Sequence, residues 1–385
     1  MRAWYVPPET DVSAGMVKDM AEKKEDHKFP LNTIYFYLTE GCNLRCRHCW
    51  IAPKYQKGSN SYPSLSLELF RSIIAQAKPL WLSGVKLTGG EPLLHPQIRE
   101  ILEEIRANDL RLTVETNGLL CTEDLARQMA ACKRPFVSVS IDGSRAETHE
   151  WVRGVEGSFE AAKEGIRNLV KAGLKPQLIM TIMPRNRNQM KAVLHLAESL
   201  GCGSVKFNIL QPIARGEKMH NAEQVLSIEE LVEIGEWAEN VLSPSTSLRV
   251  YYSHPLAFHP LSRMFSNNGD GCMTCGILGI LGVLPNGSYA LCGIGETVPE
   301  LVFGHAATDL LDDVWENTPV LHQLREGLPH RLEGICGECL MKSRCLGSCV
   351  AQNYYRSKSL WAPFWFCEEA NRRGLFAATR RPPQS

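Results

Sequence analysis

The chain has 385 residues, of which 44% are hydrophobic and 22% are charged, and this composition excludes a disordered protein. Its 42 lysines and arginines balance 42 aspartates and glutamates, so no basic excess indicates binding to nucleic acid or to an anionic membrane. The longest nearly apolar run, residues 276–284, is far shorter than the ~20 residues of a transmembrane helix, and the first residues carry no signal-peptide pattern. We therefore expect a cytoplasmic protein with no nucleic-acid or membrane partner.

After an N-terminal extension, residues 1–31, short apolar runs alternate with amphipathic stretches as far as residue 245. The runs predict strands over residues 33–39, 85–88, 111–115, 136–141, 177–182 and 204–210. The amphipathic stretches predict helices over residues 65–78, 97–107, 122–132, 158–172, 189–200 and 228–242. Six β/α units in succession predict an α/β fold whose parallel sheet is curled by right-handed crossovers into a full or partial barrel.

The first four predicted strands are each followed by a conspicuous loop. These loops carry three cysteines, then Gly89-Gly90-Glu91-Pro92, then Thr116-Asn117-Gly118, and finally Asp142-Gly143. Because chemistry in such folds gathers at the carboxyl ends of the strands, we expect the four loops to share one site.

The number of cysteines, 14, is high, and most of them are clustered. The cytosol keeps thiols reduced, so clustered cysteines there indicate metal ligands rather than disulfides. Three isolated cysteines in helix-like stretches are predicted to be buried apolar residues: Cys121, Cys132 and Cys202.

The first cluster, Cys42, Cys46 and Cys49, has CxxxCxxC spacing. A [4Fe–4S] cluster needs four ligands, so three thiolates leave one iron open for a ligand from outside the protein. The alternative is a closed zinc site that adds His48. We disfavour it because His48 is the direct neighbour of Cys49, whereas structural zinc sites use paired spacings.

The CxxxCxxC loop together with Gly89-Gly90-Glu91-Pro92 resembles the radical S-adenosylmethionine (radical SAM) enzymes. The resemblance covers residues 32–245 and implies a partial (β/α)6 TIM-like barrel in which the open iron binds the methionine part of SAM. It further implies that Gly89 and Gly90 let the backbone approach the SAM amine, and that Glu91 accepts a hydrogen bond from that amine.

The same resemblance implies further contacts with SAM. Ser140 and Arg153 would hold its carboxylate and ribose, although a strand hydroxyl and a surface ion pair are the alternatives. Asn117 would contact the ribose, or would cap a turn. His48 stands where relatives have an aromatic residue that stacks near the adenine, and Trp50 is a possible substitute for that contact.

A second cysteine array follows a turn-rich connecting segment, residues 246–270. Its eight cysteines are Cys272, Cys275, Cys292, Cys336, Cys339, Cys345, Cys349 and Cys367. Eight thiols are enough to close two [4Fe–4S] clusters. Zinc sites with four thiolates each are the alternative that the spacing leaves open.

The array resembles the SPASM domain, the C-terminal extension of radical SAM enzymes that act on peptides, here residues 271–370 with a tail at 371–385. The resemblance implies two auxiliary clusters with interleaved ligands, which makes three [4Fe–4S] clusters in all. Cys272, Cys275, Cys292 and Cys349 would hold the inner auxiliary cluster, and Cys336, Cys339, Cys345 and Cys367 the outer one. The position of Cys272 varies among relatives, and without it the inner auxiliary cluster would have an open iron.

The resemblance implies an oxidoreductase that takes an electron from flavodoxin or ferredoxin and cleaves SAM reductively to a 5′-deoxyadenosyl radical. The radical would oxidatively modify a ribosomally made peptide, with a C–C or thioether cross-link as the predicted product, and the auxiliary clusters would carry electrons. Only about 31 residues precede the first strand, too few for a leader-binding domain with its own core. Leader recognition is therefore expected to need a separate protein or a different surface.

Several other functions are open. One is maturation of haem or of another small-molecule or peptide-derived redox cofactor, and another is peptide epimerisation. Formylglycine maturation of sulfatases is disfavoured, because those relatives carry an aspartate where Gly293 follows Cys292. A non-catalytic zinc or electron-carrier protein is the alternative from a different class.

Overall fold

The computed structural model describes residues 29–57, 62–264 and 275–383. Most of the N-terminal extension, the end of the connecting segment and the predicted ligand Cys272 lie outside these ranges. Inside them, every helix is too short or too polar to cross a bilayer.

The described residues form twelve strands, ten of which make one sheet. The strands are β1 Thr33–Tyr37, β2 Gly41–Cys42, β3 Lys54–Tyr55, β4 Gly84–Thr88, β5 Arg111–Thr116, β6 Lys133–Ser140, β7 Gln177–Ile182, β8 Ser204–Ile209, β9 Arg249–Tyr252, β10 Ile280–Val283, β11 Ser288–Ala290 and β12 Val302–His305. The sheet order is β12-β11-β10-β1-β4-β5-β6-β7-β8-β9, and β2 pairs with β3 outside it. From β10 to β9 all neighbours are parallel, whereas β11 and β12 add two antiparallel pairings.

Helices connect the parallel strands and cover the sheet. Their bounds are Leu67–Ala77, Ile98–Ala107, Glu123–Ala130, Ala146–Arg153, Ser158–Lys171, Met190–Ser199, Arg215–Asn221, Ile228–Trp237, Leu261–Met264, Leu311–Asn317, Pro319–Gly327, Gly334–Glu338, Lys342–Cys345, Val350–Ser357 and Trp365–Arg372. Side chains from the sheet and from the inner faces of the helices form one large apolar core that also includes the C-terminal helices. Burial of this apolar surface is the main favourable term in folding.

The helix starts have local causes in the sequence. The Ser66 side chain accepts a hydrogen bond from the Leu69 backbone N–H, and the Thr122 side chain accepts one from Leu125. Ser227 forms a reciprocal capping box with Glu230 at the start of the helix Ile228–Trp237. Such caps satisfy backbone donors that the first helical turn leaves unpaired.

The predicted α/β fold is confirmed. Six parallel strands, β1 and β4–β8, alternate with helices, and the predicted and observed strand boundaries agree within three residues. The sheet continues beyond these six strands on both sides. Residues 249–252, assigned above to the connecting segment, form β9, a short strand whose alternating burial spans only four residues.

The cysteine-rich C-terminal part does not form a separate sheet. Its predicted hairpin around Pro285-Asn286-Gly287 is present as β10 and β11, and β10 pairs in parallel with β1. Gly282 lies opposite Tyr35 in that pairing. The hairpin therefore places Cys292, just beyond β11, next to the first strand of the barrel.

Candidate active site

The carboxyl ends of the parallel strands surround a cavity of about 360 Å³. Every predicted SAM-binding residue and every cysteine of the first cluster lines it: Cys42, Cys46, His48, Cys49, Gly89, Gly90, Glu91, Asn117, Ser140 and Arg153. Four loops that are far apart in sequence thus meet at one end of the sheet, as the topology of parallel strands requires.

Backbone hydrogen bonds fix the three-cysteine loop against the helix Ala146–Arg153. The N–H of Arg45 donates to the carbonyl of Arg153 over 2.9 Å, and the N–H of Arg47 donates to that of Val152 over 2.9 Å. Burial raises the pKa of the Cys46 thiol, and the neighbouring Arg153 guanidinium opposes that rise. The two backbone hydrogen bonds therefore fasten the loop to this helix.

The Gly89-Gly90 turn passes very close to the first loop. The N–H of Gly90 donates to the Thr39 carbonyl over 3.1 Å, and the N–H of Glu91 donates to the Gly41 carbonyl over 2.9 Å. A Cβ on Gly90 would lie 1.9 Å from the Gly41 carbonyl oxygen, and Gly89 has a φ of +122°. Both positions exclude a larger side chain.

Glu91 is buried and accepts three hydrogen bonds from the protein. Its Oε1 accepts from the Thr116 hydroxyl over 2.6 Å and from the Leu93 N–H over 3.1 Å, and its Oε2 accepts from the Asn117 N–H over 2.8 Å. Burial raises the pKa of Glu91 to about 7 in spite of these bonds. The carboxylate thus fastens the end of β5 to the glycine turn, and it has acceptor capacity for one more donor.

Asn117 is engaged with protein groups at both ends of its side-chain amide. Its Nδ2 donates to Asn43 Oδ1 over 2.6 Å, and its Oδ1 accepts from the Leu119 N–H over 3.0 Å. The second bond is the turn cap that was the alternative to a ribose contact. Ser140, at the end of β6, lines the cavity.

Arg153 forms a buried ion pair, not the surface pair considered above. Its Nη2 lies 2.7 Å from Asp142 Oδ2, and the two side chains are 8% and 0% exposed. Its Nη1 donates to Cys46 Sγ over 3.5 Å. Burial would raise the pKa of Asp142, but Arg153, with smaller contributions from His48, the Thr181 N–H and His149, keeps that pKa below its usual value.

His48 faces the same carboxylate at a longer distance. Its Nε2 lies 4.0 Å from Asp142 Oδ2, and burial lowers its pKa to about 4. A neutral imidazole is therefore expected here near pH 7.

A second buried histidine, His149, contacts the loop that carries Asp142. His149 Nδ1 accepts a hydrogen bond from the Asp142 N–H over 3.2 Å, and burial lowers the pKa of His149 to about 3. Because the unfolded chain binds this proton near pH 6.5, stability should fall as pH drops from about 6.5 towards 3, by about 1.4 kcal/mol per pH unit.

This prediction is tested by urea unfolding of wild type and His149→Gln between pH 7 and pH 4.5. The variant is expected to lose the contribution of His149 to the slope of stability against pH, whereas His195→Gln, on an exposed surface, should keep it. Equal slopes for wild type and His149→Gln would contradict the prediction.

Three charged side chains on strands inside the barrel were given no role from the sequence. Lys86 on β4 and Glu115 on β5 form an ion pair of 2.6 Å, and Lys206 on β8 lines the cavity beside them. The sequence did contain a signal for these positions. Strands of a parallel sheet are covered on both faces, and their sequences are usually continuous apolar runs. A charged residue in the middle of such a strand indicates a position that faces a cavity.

The later cysteines form two groups. Cys349 lies close enough to Cys275 and Cys292 to raise the pKa values of both thiols, and Cys275 also raises the pKa of Cys292, although burial is the larger cause for each. The other group surrounds a small space of about 10 Å³: Cys336, Cys339, Cys345 and Cys367. These groups correspond to the two interleaved sets, apart from Cys272, which lies outside the described residues.

Comparison with known proteins identifies the family. A model described as the radical SAM superfamily matches residues 36–197. The AdoMet-dependent heme synthase of Methanosarcina barkeri (strain Fusaro / DSM 804) is 30% identical over 335 residues, which cover 83% of this chain and 91% of that protein. The chain belongs to the radical SAM superfamily. The mycofactocin maturase MftC of Mycobacterium ulcerans (strain Agy99) is 28% identical over 355 residues, 90% of each chain.

A solved structure shares the fold along almost the whole chain. Streptococcus suis SuiB bound to precursor peptide SuiA superposes with a TM-score of 0.70 at 15% identity, covering 96% of this chain and 84% of that one. The likeness includes the cysteine-rich C-terminal part. The fold of this chain, including that part, is therefore shared with the solved structure.

Radical SAM enzymes bind a [4Fe–4S] cluster and SAM, and the cavity fits both. The three thiols of the first loop are suitable iron ligands. Three buried polar atoms of side chains that line the cavity have no hydrogen-bond partner among the described residues: His48 Nδ1, Arg153 Nε and Gln211 Oε1. Because buried polar groups are normally paired, these atoms indicate a polar ligand.

Proposed function

We propose that this radical SAM enzyme oxidatively modifies a ribosomally made peptide. The observation that carries the proposal is the joint cavity, in which the three-thiol loop faces inward-pointing polar residues of β5 and β8. When bound, the cluster and SAM supply a 5′-deoxyadenosyl radical, which abstracts hydrogen from a C–H bond. The names of MftC, a maturase, and of SuiB with a precursor peptide support a peptide as the substrate.

In this proposal the protein's own residues position the reactants and exclude water. Cys42, Cys46 and Cys49 hold the cluster, and Glu91 and Arg153 orient the amine and carboxylate of SAM. Gly89 and Gly90 leave room for that approach. The assignment follows the family resemblance and is supported by the burial of both charged groups.

We further assign two auxiliary [4Fe–4S] clusters to the later cysteines. The inner set, Cys275, Cys292 and Cys349 with Cys272, lies on the side of β1, where the cysteine charges act on Tyr35 and Tyr37. A cluster held by these cysteines would supply an acceptor for the electron left on the substrate. A C–C or thioether cross-link, each a two-electron oxidation, is accordingly the proposed product.

The partners follow from this chemistry. In this proposal the electron that cleaves SAM comes from flavodoxin or ferredoxin, and either a separate protein or a different surface of the enzyme recognises the leader of the precursor. These partners belong to the cytoplasm, which is where we place the enzyme.

A tetrapyrrole substrate is the second candidate. It is favoured by the relatives named AdoMet-dependent heme synthase, one of them 30% identical to this chain. The charged interior of the barrel would also accommodate propionate groups.

One experiment separates the two candidates. The anaerobically reconstituted enzyme is incubated with SAM, reductant and either precursor peptides encoded beside its gene or iron-coproporphyrin III. We expect 5′-deoxyadenosine and peptides lighter by two hydrogen atoms per modification. Decarboxylation of the porphyrin with unchanged peptides would overturn the peptide proposal. Iron analysis of the same preparation should give about twelve irons per chain, four for each of three clusters, and about eight for Cys345→Ser.

A further inference from the structure

The interior of the barrel carries more positive than negative charge next to the cavity. Lys86 and Glu115 form a pair, since Lys86 Nζ lies 2.6 Å from Glu115 Oε1 and 4.7 Å from the centre of the Tyr35 ring. Lys206 is the third charge of this group, and its neighbours in register are Ile179 on β7 and Tyr251 on β9. The carboxylate of this group is paired with Lys86, which leaves Lys206 as its net positive charge.

Lys206 lacks a partner of its own. Among residues 29–57, 62–264 and 275–383, no side chain or backbone group forms a hydrogen bond or ion pair with it, although it lines the cavity. Burial lowers the pKa of Lys206, and Glu115 opposes that effect. Lys206 is half-buried, and a partly desolvated ammonium without a partner costs free energy that an anionic ligand would offset.

The carboxylate of SAM is not the best match for Lys206. Arg153 already contacts the cluster loop through Cys46 Sγ at 3.5 Å, and the proposed function assigns the SAM carboxylate to it. Lys206 lies on β8 among the groups that sequence analysis did not assign to SAM: Glu115, Asn208 and Ser253. This part of the cavity remains for the substrate.

We propose that Lys206 binds a carboxylate of the peptide substrate and selects peptides that carry one at the segment to be modified. The inference rests on the proposed function and specifies its substrate class. The carboxylate belongs either to an aspartate or glutamate side chain or to the C-terminus of the peptide. Lys206 is thus a specificity-determining residue, and Glu115 with Lys86 forms the neutral pair beside it.

The test measures binding, so it does not depend on turnover. The reconstituted holoenzyme with SAM is equilibrated with randomised N-acetyl hexapeptides, in one pool with free and in another with amidated C-termini. Retained peptides are identified by mass spectrometry. We expect carboxylate-bearing peptides to be enriched about tenfold in wild type, as suits a hydrogen bond to a charged group. Enrichment confined to the free-acid pool would identify the C-terminal source, and enrichment of acidic residues in both pools the side-chain source.

Three variants make the result specific. Lys206→Gln should abolish the enrichment, Lys206→Arg should retain it, and Lys191→Gln, exposed on the helix Met190–Ser199, should match wild type. Peptide retention without a carboxylate preference, or a preference that survives in Lys206→Gln, would overturn the proposed role of Lys206. Neither result would contradict the proposed function.

Two further outcomes bear on the SAM alternative and on the function. Equilibrium binding of SAM to Lys206→Gln, measured without peptide, separates the two ligands, because a loss of SAM affinity would assign Lys206 to SAM and overturn the proposal. Failure of every peptide to bind, while iron-coproporphyrin III binds, would overturn the proposed function itself.

Discussion

Replacing Asp142 with asparagine is expected to destabilise the protein by about 3–5 kcal/mol, because it breaks a buried ion pair and leaves the other charge without compensation. Asp142 is fully buried, and its Oδ2 lies 2.7 Å from Arg153 Nη2. Its Oδ1 accepts a hydrogen bond from the Thr181 N–H over 2.7 Å, so the same side chain also joins β7 to the loop after β6. The asparagine keeps the shape of the side chain and removes the negative charge.

The loss of charge should also affect the loop that carries Cys42, Cys46 and Cys49. Arg153 contacts Cys46 Sγ, and its backbone carbonyl accepts the N–H of Arg45. We therefore expect Asp142→Asn to lower the affinity for SAM in addition to stability. Chemical unfolding measures the first effect, and titration of the reconstituted enzyme with SAM measures the second.

The matched control is Asp109→Asn at the protein surface. Asp109 pairs with Lys133, and the two side chains are 77% and 44% exposed. An exposed pair contributes little, so this variant should remain within about 0.5 kcal/mol of wild type. If Asp142→Asn behaved in the same way, the buried pair would not have the structural role that its geometry indicates.

The sequence was sufficient to predict the barrel and to predict which loops line the cavity. Periodicity located the six β/α units, and the rule that chemistry gathers at strand ends brought Cys42, Gly90, Asn117 and Arg153 into one cavity. Spacing also placed Cys292 beyond a hairpin. These features depend on residues that are close in sequence or on a general property of parallel sheets.

Contacts between strands could not be predicted in the same way. The partner of Arg153 is Asp142, at the end of the preceding strand, and the partner of Glu115 is Lys86 on β4. Such pairs depend on register and on the direction of side chains inside the barrel, which a single sequence does not encode locally. The strand β9 was missed because four residues give too short a pattern.

Gly90→Ala is expected to abolish SAM cleavage and to reduce cluster content. The added Cβ would lie 1.9 Å from the Gly41 carbonyl oxygen and 2.6 Å from its carbonyl carbon, and both are backbone atoms. The clash therefore cannot be relieved by a rotamer change, and the glycine turn must move away from Gly41–Cys42. Overpacking of this kind costs about 1–3 kcal/mol, and here it also displaces the first ligand of the cluster.

The control for Gly90→Ala is Gly374→Ala, since a Cβ on Gly374 meets no atom within 4 Å but the residue has a φ of +73°. Its cost is limited to the left-handed backbone, about 1–2 kcal/mol. Iron content, 5′-deoxyadenosine formation and the midpoint of thermal unfolding are compared for both variants and wild type. We expect Gly374→Ala to lose some thermal stability and to keep its iron and its SAM cleavage, whereas Gly90→Ala should lose iron and cleavage together. Wild-type iron content and cleavage in Gly90→Ala would mean that the close approach of the two loops is not required for the site, because the larger side chain would then have been accommodated without moving Cys42.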